Sequence, residues 1–195
     1  MRYATDRKER THEQILSTAA ELFRRDGVVA TGVAGLMKEV GLTQGGFYAH
    51  FESKEALVRE AVGRASLDVA GAMEQIAHAA GGGTAGLSAV IDRYLSRRHL
   101  ELAERGCVLA AVGGELAREP EATREAVREG IHRLSAVIEA GLPAGTRHRA
   151  RVARSVFALM VGTMQMARLC GDPEDGVAVL EEGKAAARAL SGIGG

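Results

Sequence analysis

An all-α chain of about nine helices is what the sequence predicts, and three observations carry that expectation. Ala is the commonest residue, and Leu, Val and Glu are frequent, in a composition with only three prolines, 4% aromatics and no Trp, a mixture that suits helices and is poor for sheets. Apolar residues return at helical spacing along most of the chain. Gly, Pro and N-capping residues punctuate those stretches. With 195 residues, the chain can bury a sizeable core, either in one larger domain or in a small unit plus a helical body.

Taken in order, the first helix is signalled by Thr11 with Gln14 three residues on, a candidate capping box. Ile15, Leu16, Ala19, Ala20, Leu22 and Phe23 then share one face until Gly27 ends it. A short second helix, capped by Thr31, repeats apolar residues at Val33, Leu36, Met37 and Val40, and Gly41 breaks it. Thr43 is a good N-cap for a third, in which Phe47 and Phe51 supply apolar anchors and leave Thr43, Gln44, Gly45, Gly46 and Tyr48 turned outward. Two short helices in tight tandem, followed by the capped start of another, read as a helix-turn-helix whose second helix can enter a major groove.

Ser53 caps a fourth helix bearing Leu57, Val58, Ala61, Val62, Ala65 and Val69, which runs out of that unit to the break at Gly81, Gly82 and Gly83. A fifth starts at Thr84 and keeps Leu87, Val90, Ile91, Tyr94, Leu95 and Leu102 in register. Gly106 separates it from a sixth ending near Arg118, and Pro120 suits the first turn of a seventh carrying Val127, Ile131, Leu134 and Ile138. Gly141, Pro143 and Gly145 close that helix, and an eighth spans 147 to 170. Asp172 as cap, Pro173 at the first position and Glu174 with Asp175 in the first turn start the ninth. The division expected is a helix-turn-helix domain over 1–54 and a helical body over 55–195.

Charge points to no particular partner. Lys plus Arg number 25 and Asp plus Glu number 25, and residues 1–59 hold nine basic against eight acidic side chains. DNA affinity must therefore come from local placement. The cluster Arg2, Arg7, Lys8 and Arg10 is a candidate flexible arm along a phosphate backbone or minor groove, or else a frayed terminus. No apolar run approaches the about 18 residues needed to span a bilayer, and no signal segment opens the chain, so a cytoplasmic protein is expected. Cys107 and Cys170 have no metal-ligand spacing with the six histidines and are expected as free thiols, with no metal or other cofactor.

Gly27, Thr31, Gly41, the run GxFYxHF at 45–51 and SKEAL at 53–57 together resemble the TetR/AcrR family of bacterial one-component transcriptional regulators. The resemblance covers about the first third of the chain at residue level. Thr43 and Gln44 are candidate base readers, Gln because its amide can pair with adenine through two bonds, and Gly45 lets the backbone approach closely. Tyr48 and His50 match positions that the resemblance assigns to phosphates, with Thr31 and Lys54 as further phosphate candidates. The plainer alternative is that these residues only pack or cap the unit. Gly46 departs from the family pattern, where many relatives carry Thr or another side chain that can reach DNA. One reader covers few base pairs, so a homodimer on a palindromic operator is expected.

The same resemblance implies a dimer contact on the last two helices, with Val177, Leu180, Ala187 and Leu190 as candidates beside Ala185, Ala186 and Ala189. It also implies an effector pocket in the body, with Tyr94, His99, Cys107, Phe157, Met160 and Met164 as candidate lining; most such residues are more often core. Few aromatics and few buried charges favour a modest-sized, mostly apolar or neutral ligand. Cys107, after Arg105 and Gly106 at a helix start, is also a candidate redox or electrophile sensor against the alternative of an inert buried thiol. A regulator controlled by a protein partner is a third reading. No Ser-His-Asp order, metal cluster or phosphate loop suggests an enzyme.

Overall fold

A computed structural model describes the backbone of residues 2–194 and the side chains of residues 7–194. Among the described residues the chain is helical throughout: α1 (Arg2–Asp26), α2 (Val33–Glu39), a 3-10 segment (Gln44–Ala49), α3 (Lys54–Ala79), α4 (Gly83–Tyr94), α5 (Arg97–Glu101), a 3-10 turn (Ala103–Arg105), α6 (Val108–Leu116), α7 (Glu121–Gly141), α8 (Arg149–Arg168) and α9 (Pro173–Ser191).

Two apolar cores organise them. The first gathers the predicted faces of α1, α2 and the start of α3, with Ile15, Phe23, Leu36, Met37, Phe47 and Val62 fully buried, and recruits Val108, Val112 and Leu116 from α6 and Val127 from α7. The second holds Ile91, Tyr94 and Leu95 of the α4 segment against Ile138, Phe157, Met160, Met164, Leu180 and Ala187. Helix α3 contributes to both, with Leu57 to Ala65 in the first and Ala70 and Met73 in the second. It is the beam through which one unit leans on the other.

The chain turns where the sequence signals it. Gly41 sits at φ 78° and Gly81, Gly82 and Gly83 at 89°, 71° and 52°, left-handed values that favour glycine and end α2 and α3. Ser53 Oγ accepts from the Ala56 amide at 3.1 Å, and Asp172 accepts from the Glu174 amide at 2.7 Å with Pro173 behind it. These caps are as expected.

Five expectations need correction. Thr11 does not start α1, which begins at Arg2; its hydroxyl lies inside the helix and donates to the Arg7 carbonyl at 2.9 Å. The basic cluster is accordingly part of a helix and not a loose arm, although the Arg2 side chain lies outside the described residues. Thr31 does not cap α2: Gly32 holds that position, and the buried Thr31 hydroxyl donates to the Gly27 carbonyl at 2.7 Å. The fifth predicted helix is two, because the backbone leaves the helix at Leu95 and Ser96 caps a new one by accepting from the His99 amide at 3.2 Å. Pro120 is the cap before α7 and does not lie within its first turn.

Helices α8 and α9 pack so closely that a Cβ on Gly176 would meet the Ala167 carbonyl oxygen at 2.9 Å, and one on Gly183 would overlap Thr163. Leu180 and Ala187 are buried in this intramolecular seam, whereas Val177 is half-buried and Leu190 exposed. Two of the four dimer candidates thus serve the chain's own core, since small residues permit close packing with whichever helix is nearest.

Candidate nucleic-acid interface and body cleft

The 3-10 segment is held from beneath. Phe47 is fully buried, stacks on Phe51 with centroids 5.5 Å apart and meets Tyr48 edge-on at 5.2 Å. With one side fixed, the other carries Thr43, Gln44 and Gly45 into solvent, and Tyr48 beside them is 67% exposed. The pair Gly45-Gly46 disfavours a regular α-helix, in keeping with the tighter 3-10 winding of Gln44–Ala49. Gly46 is half-buried, and a Cβ there would make ordinary contact with Thr43 Oγ1 at 3.7 Å and Met37 Cε at 3.8 Å.

The remaining candidates stand behind this patch. His50 is half-buried, with Nδ1 buried and without a hydrogen-bond partner in the structure. Its pKa is lowered by burial and by His12 and Lys8. His12 stacks on Phe51 at 4.5 Å and bonds Glu60 at 2.7 Å. Lys54 Nζ donates to the Val28 carbonyl at 2.9 Å and approaches that of Val29 at 3.5 Å. Together with the Thr31 bond, this ties down the α1–α2 loop, so both residues shape the unit from within and do not line the exposed patch. Arg7, Lys8 and Arg10 are exposed along α1.

Sequence reading missed a partner for the same loop. Glu115 of α6 accepts the Val29 amide at 2.9 Å, and a Cβ on Gly27 would lie 2.8 Å from its other oxygen. Arg24 Nε of α1 donates to the Glu104 carbonyl at 2.5 Å. Two body segments are therefore hydrogen-bonded to the helix-turn-helix unit. A polar residue near the end of a short helix gives no sequence signal of such a contact.

In the body, Tyr94, His99 and Cys107 come together in a cleft of about 250 Å³ whose floor includes Val69, Met73 and Leu102. Phe157, Met160 and Met164 do not line it; they are packed in the core, with Phe157 edge-on to Tyr94 at 6.1 Å. The cleft is not the neutral space expected: Arg93, Arg98 and Arg105 stand around it, and among the described residues no carboxylate lines it. Exposed arginines on helices read as a solvated face in sequence, and only the α4–α5 break brings these three to one place.

His99 organises the cleft. Its Nδ1 pairs with the Tyr94 carbonyl at 2.6 Å, and its Nε2 accepts the Cys107 amide at 2.9 Å. A carbonyl needs a donor and an N–H needs an acceptor, so the imidazole is neutral with its proton on Nδ1. Burial, assisted by Arg168, Arg93 and Arg24, lowers its pKa from 6.5 to about 4 against the opposing Tyr94 bond. The folded value lies below the unfolded one, so on acidification the unfolded chain binds its proton first. Stability is then lost as pH falls through the window from 6.5 to about 4. Unfolding in denaturant should show a loss of about 2 kcal/mol from about pH 7 to pH 5, with His50 adding a slope of the same sign. A His99→Leu variant should lose most of that slope; an unchanged slope would exclude His99 as its source.

Residues 15–61 match the profile described as bacterial regulatory proteins, tetR family, and residues 83–181 match that of the tetracyclin repressor-like C-terminal domain. The HTH-type transcriptional regulator LmrA of Bacillus subtilis is 29% identical over 158 residues, 77% of this chain and 82% of that protein. YerO of the same organism, an uncharacterized HTH-type transcriptional regulator, is 43% identical over 49 residues, 25% of this chain and only 17% of that protein. Among solved structures, a TetR-family regulator from Agrobacterium tumefaciens superposes with TM-score 0.77 at 23% identity, covering 96% of this chain and 100% of that one. The reduced form of E. coli NemR does so with 0.76 at 20% identity, covering 92% and 95%.

Proposed function

The chain belongs to the TetR family of bacterial regulatory proteins and is a helix-turn-helix transcriptional regulator and not an enzyme, and on that premise we propose that it is a cytoplasmic repressor that binds a palindromic operator as a homodimer and leaves it when a small molecule fills the body. The observation that carries the DNA reading is the exposed group Thr43, Gln44, Gly45 and Tyr48 on a segment anchored by buried Phe47 and Phe51. Gln44 reads a base, Thr43 assists at the same end, and Tyr48 holds a phosphate. The working division remains 1–54 for reading and 55–195 for effector and dimer contacts.

We assign the dimer contact to the outer faces of α8 and α9. Met166 and Leu190 are exposed there, Leu169 at the end of α8 is 85% exposed, and Val177 is half-buried; unpaired large apolar side chains favour a partner. The route from effector to operator is supported by the Arg24–Glu104 and Val29–Glu115 hydrogen bonds, which a shift of the 103–105 turn or of α6 would break. A thiol-sensing variant of this scheme is favoured by one observation, that Cys107 lines the cleft. Because Cys107 is only 4% exposed, reaction there requires the cleft to open, and alkylation near neutral pH with loss of DNA binding tests it.

The decisive experiment is selection of duplexes from a random pool at two salt concentrations. An inverted repeat should emerge. Gln44→Ala should then relax preference at one base position per half-site, by roughly 1–3 kcal/mol, whereas Tyr48→Phe should weaken all sequences alike. A uniform loss from Gln44→Ala would remove its role as a reader, and no enrichment at either salt with folded dimer would remove the operator reading.

A further inference from the structure

We infer that the ligand of the body cleft is a small amphipathic carboxylate, held by the Tyr94 hydroxyl and the surrounding arginines with its apolar part on Val69, Met73 and Leu102. This assignment rests on reading the cleft as an effector site.

Tyr94 lines the cleft, its side chain is fully buried, and its hydroxyl has no oxygen or nitrogen partner, only the Cys107 thiol, a weak acceptor, beside it. A buried hydroxyl left with a weak sulfur acceptor is poorly satisfied. The neighbouring imidazole cannot supply a better acceptor, because both His99 nitrogens are engaged by the Tyr94 carbonyl and the Cys107 amide. Arg168 stands behind the same wall, with Nη2 donating to the His99 carbonyl at 3.0 Å and with Nε and Nη1 buried and unpartnered. At and behind the inner wall of the cleft, donors thus stand short of oxygen acceptors.

The outer side repeats the imbalance in charge. Arg93, Arg98 and Arg105 border the cleft, and among the described residues none of the three is paired with a carboxylate, unlike Arg97, which binds Glu101 and Glu174. Three cations over an apolar floor concentrate positive potential where a ligand enters. A neutral ligand would leave that potential unanswered, and an amine would be repelled. A carboxylate supplies up to four lone-pair sites for a hydroxyl and guanidinium groups, and burial keeps the Tyr94 hydroxyl protonated as a donor by pushing its pKa well up. The volume of about 250 Å³ limits the ligand to a short chain or a single ring.

The test uses the full chain, titrated calorimetrically with hexanoate, octanoate and benzoate, and with hexanamide and hexylamine as matched probes. The carboxylates should bind and the amide and amine should not. Tyr94→Phe, which keeps the ring in place, and Arg105→Gln, at an exposed position, should each weaken carboxylate binding about tenfold. Carboxylates that bind no better than hexanamide, or no loss in either variant, would overturn the assignment. In parallel, affinity for the selected duplex is measured with each probe present. Carboxylate binding that leaves DNA affinity unchanged would keep the ligand class and remove the effector reading. Release of DNA by hexanamide alone would do the opposite.

Discussion

Gly130→Val should destabilise the protein by about 4 kcal/mol and lower its melting temperature by roughly 10 °C. Gly130 lies inside α7 where that helix crosses α3. A Cβ there would lie 2.7 Å from the Ser66 carbonyl carbon and 2.9 Å from its oxygen, and a backbone cannot step aside as a side-chain tip can. One turn away, a Cβ on Gly63 would meet that of Ala126 at 3.0 Å, so the two helices have no slack along the crossing. Valine adds two further carbons at the tightest point and restricts its own χ1. Gly130→Ala should cost less, since alanine's helix propensity returns about 1 kcal/mol. The control is Gly114→Ala on α6, where no atom stands within 4 Å of the added carbon; it should be neutral or stabilising. If Gly130→Val melts like the parent, the α3–α7 crossing is looser than this geometry.

That crossing also marks where sequence reading stops. The faces of α1 and α2 were legible because Ile15, Leu16, Phe23, Leu36 and Met37 recur with the helical period and each loses its surface to the core. Asp172 and Pro173 were legible because capping is a local event. Gly63 and Gly130 were not, because a glycine at a close contact adds nothing to a hydrophobic pattern and reads as a weak point in a helix. Thr11 misled for a related reason: a threonine followed by Gln14 has capping chemistry, yet α1 passes through it and its hydroxyl turns back to Arg7. The break after Tyr94 carries neither Gly nor Pro, only Ser96 as a cap, so the periodicity ran across it.

For the sites, legibility followed the same division between local and assembled. The exposure of Thr43, Gln44, Gly45 and Tyr48 could be read from the burial of Phe47 and Phe51 within the same short segment. Nothing local joins Arg93 to Arg105 or Tyr94 to Arg168, and their charge was averaged away in a chain with equal numbers of acidic and basic residues. Leu180 and Ala187 show the converse case, since an apolar stripe specifies that a face is covered and leaves open which helix covers it.

Gly45→Glu should leave folding intact and lower affinity for the selected duplex at least about a hundredfold, equivalent to roughly 2.7 kcal/mol. No atom stands within 4 Å of a Cβ at this position, and the residue is exposed beside Gln44. The substitution therefore creates no clash in the protein, and replacing glycine in a helical turn should raise stability slightly. What changes is the surface offered to DNA, where a carboxylate meets phosphates and groove acceptors of its own sign. Gly45→Ala separates sterics from charge: it should melt at or above the parent temperature yet bind about tenfold more weakly, because its methyl group holds the backbone away from the groove. Measured together, melting and duplex affinity should move in opposite directions for both variants. If affinity survives Gly45→Glu, the segment Gln44–Ala49 does not enter the groove, and the exposed basic side chains of α1 become the surface on which DNA binding has to be sought.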